Sequence, residues 1–328
     1  MSHPTADQRA GCLLGLALGD ALGFVVEAEP PGVARAYVAE LRAGRAGLRT
    51  HRDFPFGQYS DDTQLARELL LSVCEAGCFD PAGFGRRLAD LFTRGQDVGA
   101  GPGSRAAALR LAHGVSWSDA GTPPPYAGNG SAMRAAPLGL VFPDRARLVE
   151  AAVGQSRVTH QDPRCAAGAL TIAAAAGMAA RPGAVDPNSW LDELSAGVAA
   201  VDEPFAEALR ALRRWARQDA ATATRELRSF GCDPPNGTDW LGVSAHVVPS
   251  VLWALYAFLQ SPDSYWDTVC TAIGAGGDTD STAAMAGALA GARLGRTGLP
   301  EQLISQLTDR GGWNGAALEE LAISVCFP

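Results

Sequence analysis

The chain has 328 residues, of which 47% are hydrophobic and 19% are charged, and its formal net charge is −8. This composition is too apolar for a disordered chain, and the length is sufficient for one large core. The excess of acidic residues argues against a general nucleic-acid-binding surface. All 27 basic residues are arginine. The lack of lysine excludes a Schiff-base lysine, a Walker-type phosphate loop and a lysine general base.

Two segments bear on where the protein works. Residues 1–14 lack the basic region and long apolar stretch of a secretory signal. The longest charge-poor run, 166–180, consists mostly of Ala and Gly, and at about fifteen residues it is shorter than a bilayer span requires. We therefore expect a cytoplasmic protein that does not enter the membrane.

Apolar residues recur at helical spacing along nearly the whole chain. Two runs, 33–38 and 246–251, alternate weakly in the manner of strands. Since no flexible linker or fixed-period repeat divides the chain, we predict a single all-α domain over residues 1–328. The predicted helices cover residues 63–76, 84–94, 145–153, 165–180, 205–215 and 281–294.

The first helical segment, GCLLGLALGDALG, carries a glycine at every fourth position. These glycines are Gly11, Gly15, Gly19 and Gly23. Each costs about 1 kcal/mol in a helix interior, so four on one face indicate that another backbone packs closely against them. Asp20 and Glu27 are seven residues apart and share one face if the helix continues that far.

Two short segments place paired carboxylates and hydroxyls before helices built from small or apolar residues. One contains Ser60, Asp61 and Asp62, and the other contains Asp278, Asp280 and Ser281. Capping explains either segment taken alone, because Ser, Thr and Asp are preferred at helix N-termini. Together they indicate a buried cluster of like charges, which needs protons or cations. With no His or Cys beside the acids, Mg²⁺ fits better than Zn²⁺, and Mn²⁺ is the alternative.

Three loops are candidates for ligand binding. The glycine-rich segment 97–104 precedes a helix, and its backbone N–H groups could cradle a phosphate. Segment 128–134 reads GNGSAMR, and segment 159–163 contains His160. Each also has an ordinary explanation, since Asn-Gly forms turns and a lone histidine is more often a structural hydrogen-bonding residue.

These segments occur together in one known family. The chain resembles the ADP-ribosylglycohydrolases, a group that includes the dinitrogenase reductase-activating type. The matching pieces run in family order from residue 11 to about residue 296: GCLLGLALGDALG with Glu27, YSDDTQLA, DVGAG, GNGSAMR, RVTHQDPRC, PSVLWALYAF and GAGGDTDSTAAMAGALAGA. The resemblance implies an orthogonal multi-helix domain, with its core at about residues 8–296 and a central cleft that holds two magnesium ions.

The resemblance also assigns roles to individual residues. It implies that Asp97, Glu27 and Asp62 act in catalysis, with Asp97 or Glu27 as the general acid or base. The implied metal ligands are Ser60, Asp61, Asp62, Asp278, Asp280 and Ser281; the family usually has threonine at the first and last of these. The implied substrate-binding residues are Gly99, Gly101, Asn129, Gly130, Ser131, Met133, His160 and Tyr256. Asp162 stands where family members often carry a second histidine.

The implied reaction is Mg²⁺-dependent hydrolysis of the glycosidic bond at C1″ of ADP-ribose attached to a protein or small conjugate. Arginine-directed members resemble this chain in having an acid before the glycine loop, here Asp97. Glu27 matches a mobile acidic flap of serine-directed members. We expect an arginine-directed monomer, with serine-linked and O-acetyl-ADP-ribose as alternative substrates. The remaining hypotheses are an all-α Mg²⁺-dependent phosphohydrolase and a non-catalytic, crystallin-like or ADP-ribose-binding protein.

Overall fold

The computed structural model describes residues 3–232 and 240–325, which form helices and loops without a sheet. Strand-like pairing in these ranges is limited to isolated bridges, such as that between Gln58 and Thr308. The predicted all-α class is therefore confirmed. The helices are α1 (Ala6–Phe24), α2 (Pro31–Arg42), α3 (Asp61–Ala76), α4 (Pro81–Thr93), α5 (Pro102–Ala112), α6 (Trp117–Ala120), α7 (Leu138–Val141), α8 (Arg145–Thr159), α9 (Pro163–Ala179), α10 (Pro187–Val198), α11 (Glu203–Trp215), α12 (Ala220–Leu227), α13 (Val247–Gln260), α14 (Tyr265–Gly274), α15 (Thr279–Leu294), α16 (Glu301–Ile304) and α17 (Gly315–Ser324).

Each of the six predicted helices is present, and most begin earlier than predicted. Helix α3 begins at Asp61 rather than Thr63, because the Ser60 hydroxyl accepts the backbone N–H of Asp62 and caps the helix. Helix α9 begins at Pro163, capped in the same way by Asp162. Polar capping residues start a helix before its apolar periodicity becomes visible, which accounts for the difference.

The two runs that alternate weakly in the sequence are helical, as the all-α prediction requires. Residues 33–38 lie inside α2, which begins with Pro31 in the first turn. Residues 247–251 belong to α13, where every residue from Val247 to Leu259 is buried. Helix α13 is covered on all sides and has no polar face, so its sequence loses the period of 3.6 and resembles a strand.

Helices α1 and α15 pack against each other along the glycine stripe. A methyl group on Gly19 would lie 2.6 Å from the carbonyl carbon of Ala283, and one on Gly23 would lie 2.6 Å from that of Thr279. Similar collisions with α15 or the turn after it follow at Gly11 and Gly15. The expected close approach of a second backbone is therefore present, and the partner is α15.

This close packing places the beginning of α15 beside the end of α1. The hydroxyl of Thr279 donates to the carbonyl of Gly23 at 2.7 Å, and the hydroxyl of Tyr265 donates to that of Gly15 at 2.9 Å. Helix α1 ends at Phe24, so Glu27 lies in the turn that follows rather than on the helix. No helix in the described ranges is both long enough and apolar enough to cross a bilayer.

Candidate active site

The first acidic segment is held by a carboxylate from α1. One oxygen of Asp20 accepts the backbone N–H of Ser60 at 2.9 Å. The other accepts the backbone N–H and hydroxyl of Thr63 at 3.0 and 2.5 Å. Asp20 is fully buried, and burial raises its pKa to about 6 although these hydrogen bonds favour the charged form. Asp20 therefore fixes the turn in which Asp61 and Asp62 begin α3.

The second acidic segment follows two glycines in left-handed backbone conformations. Gly276 and Gly277 have φ angles of 66° and 81°, and a side chain on either would collide with neighbouring backbone. The tight turn directs Asp278 and Asp280 toward the first segment. Asp278 occupies the N-cap position of α15, but its side chain makes no capping hydrogen bond. Capping thus accounts for Ser60 and does not account for Asp278.

The fold brings the acidic residues into two adjoining groups. Carboxylate oxygens of Asp20, Asp62 and Asp280 lie within 4.8 Å of one another, and so do those of Glu27, Asp278 and Asp280. Burial, followed by repulsion from Asp278, raises the pKa of Glu27 to about 7. The pKa values of Asp62 and Asp280 are also raised well above the usual range, first by burial and then by neighbouring acids.

Two carboxylate oxygens in this cluster are suited to a cation. Asp62 Oδ1 and Asp280 Oδ1 are buried and have no hydrogen-bond partner in the described parts of the chain. A buried carboxylate oxygen without a donor is unfavourable unless a proton or metal ion compensates it. Because the donors are carboxylates and hydroxyls, the set fits a hard ion such as Mg²⁺ or Mn²⁺.

The predicted metal ligands do not all lie in these two groups. Asp61 contributes to neither, although its side chain lines the adjacent cavity. The Ser60 hydroxyl donates to Asp62 at 2.8 Å, and that of Ser281 faces the sulfur of Met133 at 3.8 Å. Both hydroxyls are therefore beside the carboxylates, and their role as ligands remains a prediction.

A cavity of about 290 Å³ opens directly above the acidic cluster. Asn129 connects the cavity to the acidic cluster. Its side-chain amide donates to Asp278 at 2.5 Å, and its backbone N–H donates to the carbonyl of Ala245, another cavity residue, at 2.9 Å. The cavity brings together most of the predicted site. Its lining includes Glu27, Asp61, Gly99, Gly101, Asn129, Gly130, Met133, His160, Asp278, Asp280 and Ser281.

One wall of the cavity is formed by two stacked rings. The rings of Tyr126 and His160 have their centres 5.7 Å apart, and the Tyr126 hydroxyl accepts the backbone N–H of Gly103. His160 is buried, and burial together with the nearby charge of Arg134 lowers its pKa to about 3. The imidazole is therefore neutral in the physiological pH range.

Three predicted site residues have their side chains away from the cavity. Asp97 pairs with Arg105 at 2.5 Å. The Ser131 hydroxyl is directed into the core, where it donates to the carbonyl of Cys165. Tyr256 is buried on α13, stacks on Trp253 and donates to the carbonyl of Gln218. The expectation that Tyr256 flanks the substrate cleft is not met, because a helix buried on all sides directs this side chain into the core.

Three residues of the site are not among the candidates named from the sequence. Asp20 belongs to the acidic cluster, and Tyr126 and Trp240 line the cavity together with Ser104 of the candidate loop 97–104. The seven-residue spacing of Asp20 and Glu27 was a usable signal. Tyr126 lies in a loop rich in proline and glycine, and nothing in its local sequence distinguishes it from an ordinary turn residue.

Comparison with known proteins agrees with this geometry. The ADP-ribosylglycohydrolase family model matches residues 1–326. The chain is 29% identical to the ADP-ribosyl-[dinitrogen reductase] glycohydrolase of Rhodospirillum rubrum over 94% of this chain and 92% of that protein. It is 27% identical to the ADP-ribosylhydrolase ARH3 of Bos taurus, with 89% and 86% covered.

A solved structure extends the agreement to the fold. A chain described as an ADP-ribosylglycohydrolase-related protein complex superposes with a TM-score of 0.70 at 28% identity, covering 98% of this chain and 97% of that one. The helical architecture, the paired acidic segments and the family match all point to one conclusion. The chain belongs to the ADP-ribosylglycohydrolase family, whose members hydrolyse ADP-ribose linkages.

Proposed function

We propose that this protein is a Mg²⁺-dependent hydrolase that releases ADP-ribose from an arginine side chain by cleaving the N-glycosidic bond at C1″. The observation that carries the proposal is the pair of buried, unpartnered oxygens on Asp62 and Asp280, in the acidic cluster that borders the cavity. The modified group is carried by a protein or a small conjugate. Two ions are expected, with Mn²⁺ as the alternative to Mg²⁺.

The residues that would hold the ions are the carboxylates of Asp61, Asp62, Asp278 and Asp280 and the hydroxyls of Ser60 and Ser281. Bound divalent ions supply orientation and a lowered pKa for water at such a site. Asn129 holds Asp278 in place through its 2.5 Å hydrogen bond. In this proposal, carboxylates beside the cavity stabilise the positive charge that develops on the ribose.

Glu27 is the better placed of the two candidate acid–base residues. It lines the cavity, and burial raises its pKa to about 7 in the metal-free protein. A group with a pKa near the working pH exchanges protons most effectively, and this form of catalysis contributes roughly 10²–10⁴ in rate. Asp97 has its carboxylate on Arg105 instead, so we assign it to substrate recognition.

The preference for arginine rests on Asp97. Its carboxylate, only 5% exposed, already binds the guanidinium of Arg105, whose side chain is 50% exposed. The loop therefore carries a carboxylate that pairs with a guanidinium. In this proposal, a substrate guanidinium takes the place of Arg105 after the Asp97 side chain, which lies outside the cavity in this structure, turns toward it.

The decisive experiment is a panel of defined ADP-ribosylated peptides, assayed with Mg²⁺ and with EDTA. We expect release of ADP-ribose from arginine-linked peptide in Mg²⁺, and loss of activity in EDTA and in Asp62→Asn and Asp280→Asn. Asp186→Asn is the matched control, because Asp186 caps α10 far from the acidic cluster and asparagine caps equally well. Full activity of Asp62→Asn or Asp280→Asn contradicts the metal assignment.

A serine-directed or O-acetyl-ADP-ribose-directed hydrolase is the second candidate. The position of Glu27, within 4.8 Å of Asp278 and Asp280, favours it, since the resemblance relates Glu27 to the acidic flap of serine-directed members. Asp97→Asn discriminates the two. A selective loss on arginine-linked peptide supports arginine specificity, whereas higher activity on serine-linked peptide in the unmodified protein supports the alternative.

The other two hypotheses are tested by the same panel. Release of inorganic phosphate from simple nucleotides supports a phosphohydrolase. Binding of ADP-ribose without turnover in Mg²⁺ supports a non-catalytic protein.

A further inference from the structure

The last residue of the GNGSAMR segment is a buried arginine, and it contacts the residue before His160. Arg134 has no exposed surface, and its guanidinium donates to the side-chain and backbone oxygens of Gln155 at 2.7 and 3.0 Å. It also donates to the carbonyl of Gly130 at 2.9 Å and to the hydroxyl of Thr159 at 2.8 Å. The arginine therefore ties the loop to the end of α8.

The Thr159 hydroxyl has two neighbours, and counting protons fixes the direction of both hydrogen bonds. Its oxygen lies 2.8 Å from Nδ1 of His160 and 2.8 Å from Arg134. An arginine can only donate, so Thr159 accepts from Arg134. The hydroxyl proton has no other acceptor in the described parts of the chain, and His160 Nδ1 is the remaining one. Thr159 therefore donates to Nδ1, and the imidazole carries its own proton on Nε2.

The other ring nitrogen of His160 faces the cavity. His160 lines this cavity with 1% of its surface exposed, and within the described ranges its ring forms a hydrogen bond through Nδ1 and none through Nε2. A methyl group on Gly103 would lie 3.1 Å from Nε2, so the N-terminus of the eleven-residue helix α5 is adjacent. A buried N–H donor beside a helix N-terminus favours an anionic oxygen.

We propose that Arg134 and Thr159 act as positioning residues that fix His160 with its proton on Nε2, where it donates a hydrogen bond to a diphosphate oxygen of ADP-ribose. The ligand's identity rests on the proposed function. The assignment of the proton rests on the protein alone.

The proton assignment is tested directly on the unmodified protein. Histidine labelled with ¹⁵N distinguishes a protonated from an unprotonated ring nitrogen, and the His160→Gln spectrum identifies the His160 signals among the five histidines. We expect the Nε2–H form throughout neutral pH. A proton on Nδ1, or an equal mixture of the two forms, in the unmodified protein overturns the inference.

The functional half is tested by ADP-ribose binding, measured by calorimetry, in Thr159→Val and Thr159→Ser. Valine removes the hydroxyl, and we expect affinity to fall about tenfold, the effect of one hydrogen bond. Serine restores the hydroxyl and the affinity. Thr171→Val is the matched control, because Thr171 is an equally buried helical threonine whose hydroxyl donates only to Ala167 within α9.

A double mutant separates positioning from a general structural effect. The amide of glutamine donates from nearly the place of Nε2 without needing Thr159, so adding Thr159→Val to His160→Gln should change affinity less than twofold. An unchanged tenfold loss in that background shows that Thr159 acts structurally and overturns the proposal. In turnover assays, Thr159→Val should raise KM and leave kcat nearly unchanged, as expected for a contact made equally in ground and transition states.

Failure of the proposed function has a different signature. If the unmodified protein shows the Nε2–H form but does not bind ADP-ribose, the proposed ligand is wrong, and the donor role of His160 falls with it. If the protein binds ADP-ribose and Thr159→Val binds equally well, the proposed function stands and the positioning role is wrong.

Discussion

The contact between α1 and α15 gives a prediction that links packing to the metal site. Gly15 lies in the middle of the contact, and a methyl group there would lie 3.1 Å from Cα of Gly291 and 3.2 Å from the carbonyl carbon of Gly287. Gly23 lies at its end, where a methyl group would lie 2.7 Å from Cα of Asp280. Replacing either by alanine pushes on backbone, which cannot rotate away as a flexible side chain would.

The expected cost combines two opposing effects. Overpacking a well-filled core costs about 1–3 kcal/mol, and rigid backbone on both sides places Gly15→Ala at the upper end. The better helix propensity of alanine returns about 1 kcal/mol. The net loss for Gly15→Ala is therefore about 2 kcal/mol of unfolding free energy. Gly197→Ala in α10 has open space around the new methyl group and should gain about 1 kcal/mol.

Urea denaturation, followed by the circular dichroism of the helices, measures both changes. Mg²⁺ affinity provides a second readout. Gly23→Ala should lower this affinity because the new methyl group displaces Asp280. Gly15→Ala should leave the affinity unchanged at temperatures where the variant is folded. The reasoning is refuted if Gly15→Ala is as stable as Gly197→Ala. It is also refuted if Gly23→Ala binds Mg²⁺ with normal affinity.

Three further predictions concern the acidic cluster. In EDTA, stability should fall as pH rises from 5 to 8, because folding raises the pKa of Asp20 from 3.8 to about 6 and that of Glu27 from 4.5 to about 7. The folded state releases these protons as the pH rises through each raised pKa, so the loss of stability between pH 5 and 8 is roughly 1 kcal/mol for Asp20 and roughly 2–3 kcal/mol for Glu27. A flat profile in urea titrations contradicts the assignment. Asp280→Asn should stabilise the metal-free protein at pH 8, because it removes a repelling charge. The same variant should abolish the rise in Tm that Mg²⁺ causes, whereas the control Asp186→Asn should retain that rise. Asn129→Ala should weaken Mg²⁺ binding about tenfold or more by releasing Asp278, which isothermal titration measures; unchanged affinity would show that this hydrogen bond does not orient the ligand.

Local sequence determined the helices and the chemical character of the site. The glycine stripe from Gly11 to Gly23 predicted a close helix contact because only a neighbouring backbone makes such a costly pattern useful in a soluble helix. The hydroxyl and carboxylate clusters at Ser60 and Asp278 predicted helix starts, and the missing lysines directed attention to carboxylates. These inferences succeeded because capping and periodicity are local properties that a few neighbouring residues specify.

Only the tertiary structure decided which side chains meet. Asp20 and Asp280 are far apart in the chain and lie within 4.8 Å because α1 and α15 pack backbone to backbone. Asp97 was expected in catalysis and instead binds Arg105, a partner that sequence spacing does not reveal. The tautomer of His160 is likewise not encoded in the local sequence. Its proton is placed by Thr159 and Arg134, and folding brings Arg134 into contact with Thr159.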